Sequence, residues 1–167
     1  MIEFKAWPKI PRVENRKESY TEKIDGTNSC IVITENGEFG CQSRNRIITP
    51  DNDNFGFAAW AYQNKEDLLQ LGPGYHFGEW WGLGIQRGYN QDRKRFSLFN
   101  THRWGKHNPN TPDCCEVVPV ISASSVDEAK DILINSGSIA APGFMNVEGV
   151  VVYEYNTDSL WKAIINK

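Results

Sequence analysis

Between Ser29 and Ser43 the chain reads SCIVITENGEFGCQS, two strand-like runs on either side of Asn36-Gly37. That pair accepts the left-handed backbone of a tight turn, so the stretch predicts a β-hairpin. The pattern changes after the polar run Asp51-Asn52-Asp53-Asn54, which reads as a loop and a helix start. Over the following residues to Leu71, apolar side chains recur at helical spacing (Phe57, Trp60, Ala61, Leu68, Leu71) and stop at Gly72-Pro73-Gly74. YHFGEWWG, RFSLFN and CCEVVPVIS predict further strands. Ser124 or Ser125 caps a second helix over SVDEAKDILINSG, which has acids in its first turn and glycine at its end. VEGVVVYEY and SLWKAIINK predict two closing strands, the second running to Lys167. The proline-punctuated residues 1–19 are expected to form a lead-in packed by Phe4 and Trp7. Antiparallel-looking strands with two clear helices predict one α+β domain, and neither a repeat nor a low-complexity linker divides it.

Composition narrows the classes. A chain of 167 residues suits one domain with a real core and is short for two. Its net charge of −3 excludes a generally basic nucleic-acid coat, although a local basic stripe is enough for a nucleic-acid substrate. Cys30, Cys41, Cys114 and Cys115 lack CxxC spacing and a partnering histidine cluster, which argues against zinc. No signal-like segment or membrane-length apolar run is present, so the expectation is a cytoplasmic protein with reduced thiols and no membrane partner. His76, His102 and His107 show no paired-ligand spacing, and Trp80-Trp81 reads as core before it reads as a base-stacking surface.

The stretch TEKIDGTN (21–28) carries the candidate chemistry. Its plain reading is a surface turn, since Asp-Gly is a common turn pair. Its other reading is a nucleophilic lysine at the mouth of a nucleotide pocket. Further segments follow it in order: CQSRNR (41–46), FGEWWGLGIQRG (77–88), RFSLFN (95–100), VEGVVVY (147–153) and LWKAIINK (160–167). The succession resembles the covalent nucleotidyltransferase superfamily of RNA ligases, DNA ligases and capping enzymes, and most of all the RNA ligase 2-like family. The resemblance covers residues 20–167. It implies a single nucleotidyltransferase domain of the ATP-grasp-like ligase adenylation type, with antiparallel sheets, flanking helices and no C-terminal domain.

In that family the lysine attacks the α-phosphate of ATP, expels pyrophosphate and carries AMP as a phosphoramidate. Only a neutral amine can do so, and a free lysine ionises near about 10.4, so the chemistry asks for desolvation, cations or metal nearby. The resemblance makes Lys23 the nucleophile, with Asp25 and Lys162 completing the catalytic set and Lys162 touching the α-phosphate. It assigns Glu22 to adenine, Gly26 to close backbone approach, Asn28 to ligase chemistry, and Arg44 to the ribose and incoming phosphate. Arg44 and Arg46 on one strand would face the same side. Glu79 matches a ribose-contacting or metal-positioning glutamate, and Phe99 the aromatic that stacks on the purine, worth about 1–3 kcal/mol. Glu148 matches the carboxylate that binds magnesium or manganese, hard cations suited to oxygen ligands.

Three departures stand out. Asn100 replaces the usual aspartate after the stacking phenylalanine; the last motif has Lys162 without a second lysine two residues on; and Lys167 is poorly spaced to substitute. The chain also stops five residues after Lys162, so the resemblance implies a minimal ATP-dependent ligase, on RNA more than DNA, joining 5′-phosphate and 3′-OH ends. A protein partner replacing the C-terminal domain is one expectation. The alternatives are a DNA ligase, a GTP-using capping enzyme, and a binding module that keeps the fold without turnover.

Overall fold

The computed structural model describes residues 1–7, 10, 12 and 17–167. Glu18–Lys23 (β1) begins one sheet, and after a three-residue crossing Thr27–Ile33 (β2) begins another. Phe39–Ser43 (β3) returns antiparallel to β2 and Ile47–Ile48 (β4) extends that edge. The hairpin expected at Asn36-Gly37 is present: Gly37 has φ 83°, and its N–H donates to the Thr34 carbonyl at 2.9 Å.

Helices Phe57–Gln63 (α1) and Lys65–Leu68 (α2), with a 3-10 turn at Leu69–Leu71, follow. The expected single helix is thus broken at Asn64, whose backbone leaves the helical region (φ −106°, ψ 18°) while its side-chain amide donates to the Trp60 carbonyl at 2.8 Å. An asparagine can offer the backbone this competing bond, which periodicity does not register. Asp53 anchors the start of α1, its carboxylate accepting the N–H groups of Asn54, Ala58 and Ala59 at 2.7, 2.7 and 2.9 Å.

Gly74–Gly82 (β5) and Lys94–Leu98 (β6) then pair antiparallel, and Glu116–Val117 (β7) joins β6 in parallel. Val120–Ile121 (β8), helix Val126–Ser136 (α3), Gly149–Glu154 (β9) and Ser159–Ile164 (β10) complete the chain. The sheet orders are β4-β3-β2-β5-β6-β7 and β10-β9-β1-β8, an α+β architecture. CCEVVPVIS is therefore two short strands in different sheets. Pro119 has no N–H for a ladder, and its carbonyl accepts from Glu22 N–H at 3.0 Å while Val118 N–H donates to Leu98 at 3.0 Å. The closing strand ends at Ile164, after which the N–H groups of Ile165 and Asn166 both turn to the Glu148 carbonyl (2.7 and 3.1 Å).

Three apolar clusters hold these layers. The large sheet packs Ile31, Ile33, Trp80, Phe96 and Leu98 against Phe57, Ala61 and Leu68 of the helices. The small sheet packs Tyr20, Val150 and Val152 against Ala129 and Leu133 of α3. Between them, Ile24, Trp81, Tyr89, Val118 and Ala141 form a seam. Both tryptophans of the Trp80-Trp81 pair are thereby buried. Phe4 and Trp7 do not pack as expected, being 89% and 90% exposed, since aromatics from within the sheets already fill the cores. Helix α3 has its cap at Ser125, whose Oγ accepts from Glu128 N–H at 3.1 Å, while Ser124 N–H and Oγ donate back to Glu128 at 3.2 and 2.6 Å.

Leu133 is fully buried where α3 meets the small sheet. Leu133→Ala should lower unfolding free energy by about 2–5 kcal/mol, read from urea denaturation, through lost burial and the cavity left behind.

Candidate active site

TEKIDGTN occupies the crossing between the sheets. Lys23 is the last residue of β1 and Thr27 the first of β2, so Ile24, Asp25 and Gly26 make the passage. Ile24 is buried in the seam. The Asp25 N–H donates to the Tyr89 hydroxyl at 2.8 Å, and the Gly26 N–H to Glu79 Oε2 at 2.9 Å. Gly26 lies so close to the Trp80 carbonyl and the Trp81 side chain that a Cβ would collide with both. The Asp25 carboxylate accepts from Arg87 Nε at 3.0 Å, and the same guanidinium donates to the carbonyls of Asn146 (3.0 Å) and Asn166 (2.6 Å).

Lys23 pairs with Gly149 across the sheet, next to Glu148, and its Nζ donates to Glu148 Oε2 at 3.2 Å. Thr21 and Lys162 both lie opposite Val151, on either side of it, and opposed residues of neighbouring strands share a face. Lys162 is therefore on the face that carries Thr21 and Lys23. That face forms one wall of a cleft of about 1040 Å³ between the sheets. Lys23, Asp25, Lys162, Glu22, Gly26, Asn28, Arg44, Glu79 and Phe99 all line it, and Glu148 reaches it through the Lys23 ion pair. Residues drawn from the whole length of the sequence thus meet at one place.

Glu22, Arg44 and Arg46 have settings that the sequence does not convey. Glu22 is buried and accepts three hydrogen bonds: Oε2 from the Ser138 hydroxyl at 2.7 Å, and Oε1 from the N–H groups of Ile139 and Ala140 at 2.8 and 3.0 Å. Its side chain anchors the loop after α3. Arg44 and Arg46 do not share a strand, because β3 ends at Ser43 and both belong to the bend before β4. Arg46 donates to the carbonyls of Asn52 and Asp53 at 2.8 Å each, holding that loop, while Arg44 faces the cleft. Arg103 also lines the cleft, its guanidinium 4.4 Å over the Trp104 ring and donating to the Leu71 carbonyl at 3.1 Å.

Glu79 is the most perturbed acid of the group. It is 7% exposed, and burial pushes its carboxyl up to about 7; the Gly26 N–H and Lys23 pull it down, while Glu148 and Asp25 oppose them. Among the described residues, no three His, Cys, Asp or Glu side chains come together as a metal cage. Arg87, Tyr89 and Ser138 are the site residues that sequence reasoning passed over. Arg87 stands inside the quoted GLGIQRG segment, but its partners are 59, 62 and 79 residues away, a spacing no local pattern reveals.

The sequence profile of the family described as RNA ligase matches residues 19–164, and the chain belongs to that family, as an RNA ligase-type nucleotidyltransferase domain. A comparison with curated proteins finds no significant match. Among solved structures, the fold is similar to a mutant of Naegleria gruberi RNA ligase with AMP and Mn, at 22% identity and a TM-score of 0.61 over 89% of this chain and 49% of that one. A second mutant of the same protein, with ATP and Mn, gives 20% identity and a TM-score of 0.61 over the same shares. A mutant without ligand gives 21% and 0.60, again over 89% and 49%. The chain thus spans about half the length of these solved relatives.

The raised Glu79 carboxyl has a consequence for stability. Between pH 4.5, its ordinary value, and about 7 the unfolded chain has released this proton while the folded chain retains it. The stability it contributes is therefore full below about pH 4.5 and declines as pH rises through about 7. Glu79→Gln keeps an acceptor for the Gly26 N–H and removes the titration. In urea denaturation across this range, the unsubstituted chain should lose up to about 3 kcal/mol relative to Glu79→Gln.

Proposed function

We propose that the domain is the adenylylating part of an ATP-dependent RNA ligase with Lys23 as its nucleophile. The observation that carries this reading is the position of Lys23, ion-paired to Glu148 and on the same cleft-facing side of the small sheet as Lys162. In the first step the Lys23 amine forms a bond to the α-phosphorus of ATP as the bond to the pyrophosphate oxygen breaks. The lysine must give up its proton to solvent before it attacks, because the Glu148 Oε2 contact at 3.2 Å pairs with the ammonium and only the neutral amine is nucleophilic. The AMP is then passed to a 5′-phosphate, and a 3′-OH displaces it to join the strands.

The residues around Lys23 take roles that suit their placement. Arg87 fixes Asp25, and with it the crossing that directly follows the nucleophile. Gly26 lets the crossing lie against the Trp80 carbonyl and the Trp81 side chain, where a Cβ would collide. Lys162 is assigned to the α-phosphate, Arg44 to the ribose and the incoming phosphate, and Asn28, also lining the cleft, to ligase chemistry. Phe99 offers a half-exposed ring to the adenine, and Glu79 holds the crossing while contacting the ribose. Glu22 holds the loop at Ser138–Ala140 through three accepted hydrogen bonds, which leaves about one acceptor site for the adenine assigned to it.

Magnesium or manganese suits this site through Glu148, one carboxylate at the cleft edge, with phosphate oxygens completing the shell as magnesium commonly requires. Such a cation supplies neutralisation of phosphate charge. The Naegleria relatives, with ATP or AMP and Mn, support nucleotide and divalent-metal use. RNA is favoured over DNA by family membership. The free thiols of Cys30, Cys41, Cys114 and Cys115 fit a reducing compartment such as the cytoplasm. No helix among the described residues is long and apolar enough to cross a membrane.

The test is intact-mass measurement after incubation with ATP and magnesium. An AMP-sized adduct is expected with ATP, absent with GTP and absent from Lys23→Ala. Lys162→Ala should slow its formation by at least about tenfold, the order for losing one transition-state charge contact. Folded, AMP-free protein that forms no adduct with any nucleotide would instead be a binding module. Supplying the adenylylated protein with RNA or DNA ends then tests joining, alone or with a protein partner.

A further inference from the structure

Three aromatic side chains stand exposed along the large-sheet wall of the cleft: Tyr75 at 62%, Phe77 at 54% and Phe99 at 43%. Tyr75 and Phe77 alternate with Glu79 on β5 and so share its face, while Phe99 is joined to Phe77 by its N–H, which donates to the Phe77 carbonyl at 3.0 Å. At the usual strand rise, Phe77 and Tyr75 lie about 7 and about 13 Å from Glu79 along the strand, leading away from the nucleophile. Their rings are nearly parallel, 20° apart in plane and 6.3 Å between centroids. Exposing two large rings side by side costs burial that the neighbouring Trp80 and Trp81 obtain fully. The core therefore gives no reason for them to face outward.

The charges of the cleft indicate what the rings face. Its acids are occupied by protein donors: Glu22 by three, Asp25 by Arg87, Glu79 by the Gly26 N–H, and Asp158 by the Tyr153 hydroxyl at 2.6 Å. Among the described residues Arg44, which lines the same cleft and is assigned the incoming phosphate, forms no ion pair. An aromatic row in one cleft with a cation for an incoming phosphate matches a nucleic-acid strand, because every base has a face to stack and every linkage a charge.

We infer that the Tyr75–Phe77 face is a stacking platform for single-stranded RNA, holding the strand whose end is presented at Lys23. This rests on the ligase reading above and adds to it the surface that grips the substrate.

The experiment is a fluorescence-anisotropy titration of a short, labelled, 5′-phosphorylated single-stranded RNA without ATP. The proteins are the unsubstituted chain, Tyr75→Ala, Phe77→Ala, the double variant, Phe77→Tyr, and Tyr62→Ala as an exposed aromatic outside the cleft. Each cleft alanine should weaken binding roughly fivefold to a hundredfold, Phe77→Tyr should retain it, and Tyr62→Ala should leave it unchanged. Thermal unfolding of each variant confirms that these surface changes leave the fold intact. Unchanged affinity in the folded double variant overturns the inference and turns the face over to a protein surface. Absence of measurable RNA binding by the unsubstituted chain overturns it too. AMP adduct formation by the unsubstituted chain tests the first-step reading separately, so the two proposals fail in distinguishable ways.

Discussion

The structure depends on the crossing at Ile24–Gly26. Two sheets with separate cores must be joined there without leaving backbone polar groups stranded in the seam. The solution uses Tyr89 and Glu79 as acceptors for successive N–H groups and Ile24 as the apolar plug. A buried N–H without a partner costs as much as a lost hydrogen bond or more, so each of these side chains has a reason to be where it is before any chemistry is considered. Glycine is the residue that can sit against the Trp80 carbonyl. The same constraint that joins the sheets therefore delivers Lys23 to the head of the cleft.

The site is assembled by register more than by proximity in sequence. Lys23 faces Gly149, and Lys162 is separated from Thr21 by a single strand, because β1, β9 and β10 are held in one ladder. Displacing either pairing by one residue would turn a lysine to the opposite face of the small sheet. The packing of Val150 and Val152 on α3 opposes such a slip, so an apolar contact on one side of the sheet maintains an ionic arrangement on the other.

Much of this was legible in the chain itself. The Asn36-Gly37 hairpin, the Ser125-capped helix and the strands around Glu79 and Glu148 follow from local pattern, where the deciding physics lies within a few residues. TEKIDGTN stands out through the family resemblance of the segments that follow it, since its local pattern alone reads as a turn. What escaped was set at long range or by competition. The break at Asn64 depends on one side-chain amide reaching back to Trp60, and the switch of sheets at Val118-Pro119 needs partners in both β6 and β1. Glu22 also anchors the loop at Ser138–Ala140, more than a hundred residues away, a role its local sequence does not show. Arg46 has the same composition as Arg44 and differs only in meeting two loop carbonyls.

Arg87 also gives the domain a mechanical property. One guanidinium joins the segment before β9, the residue two beyond β10 and the crossing that follows the nucleophile. A tug on the chain at Asn166 is thus felt at Asp25 through a single rigid planar group, with no intervening strand to absorb it. The segment just beyond β10 and the crossing that follows the nucleophile are therefore held in register by one shared side chain.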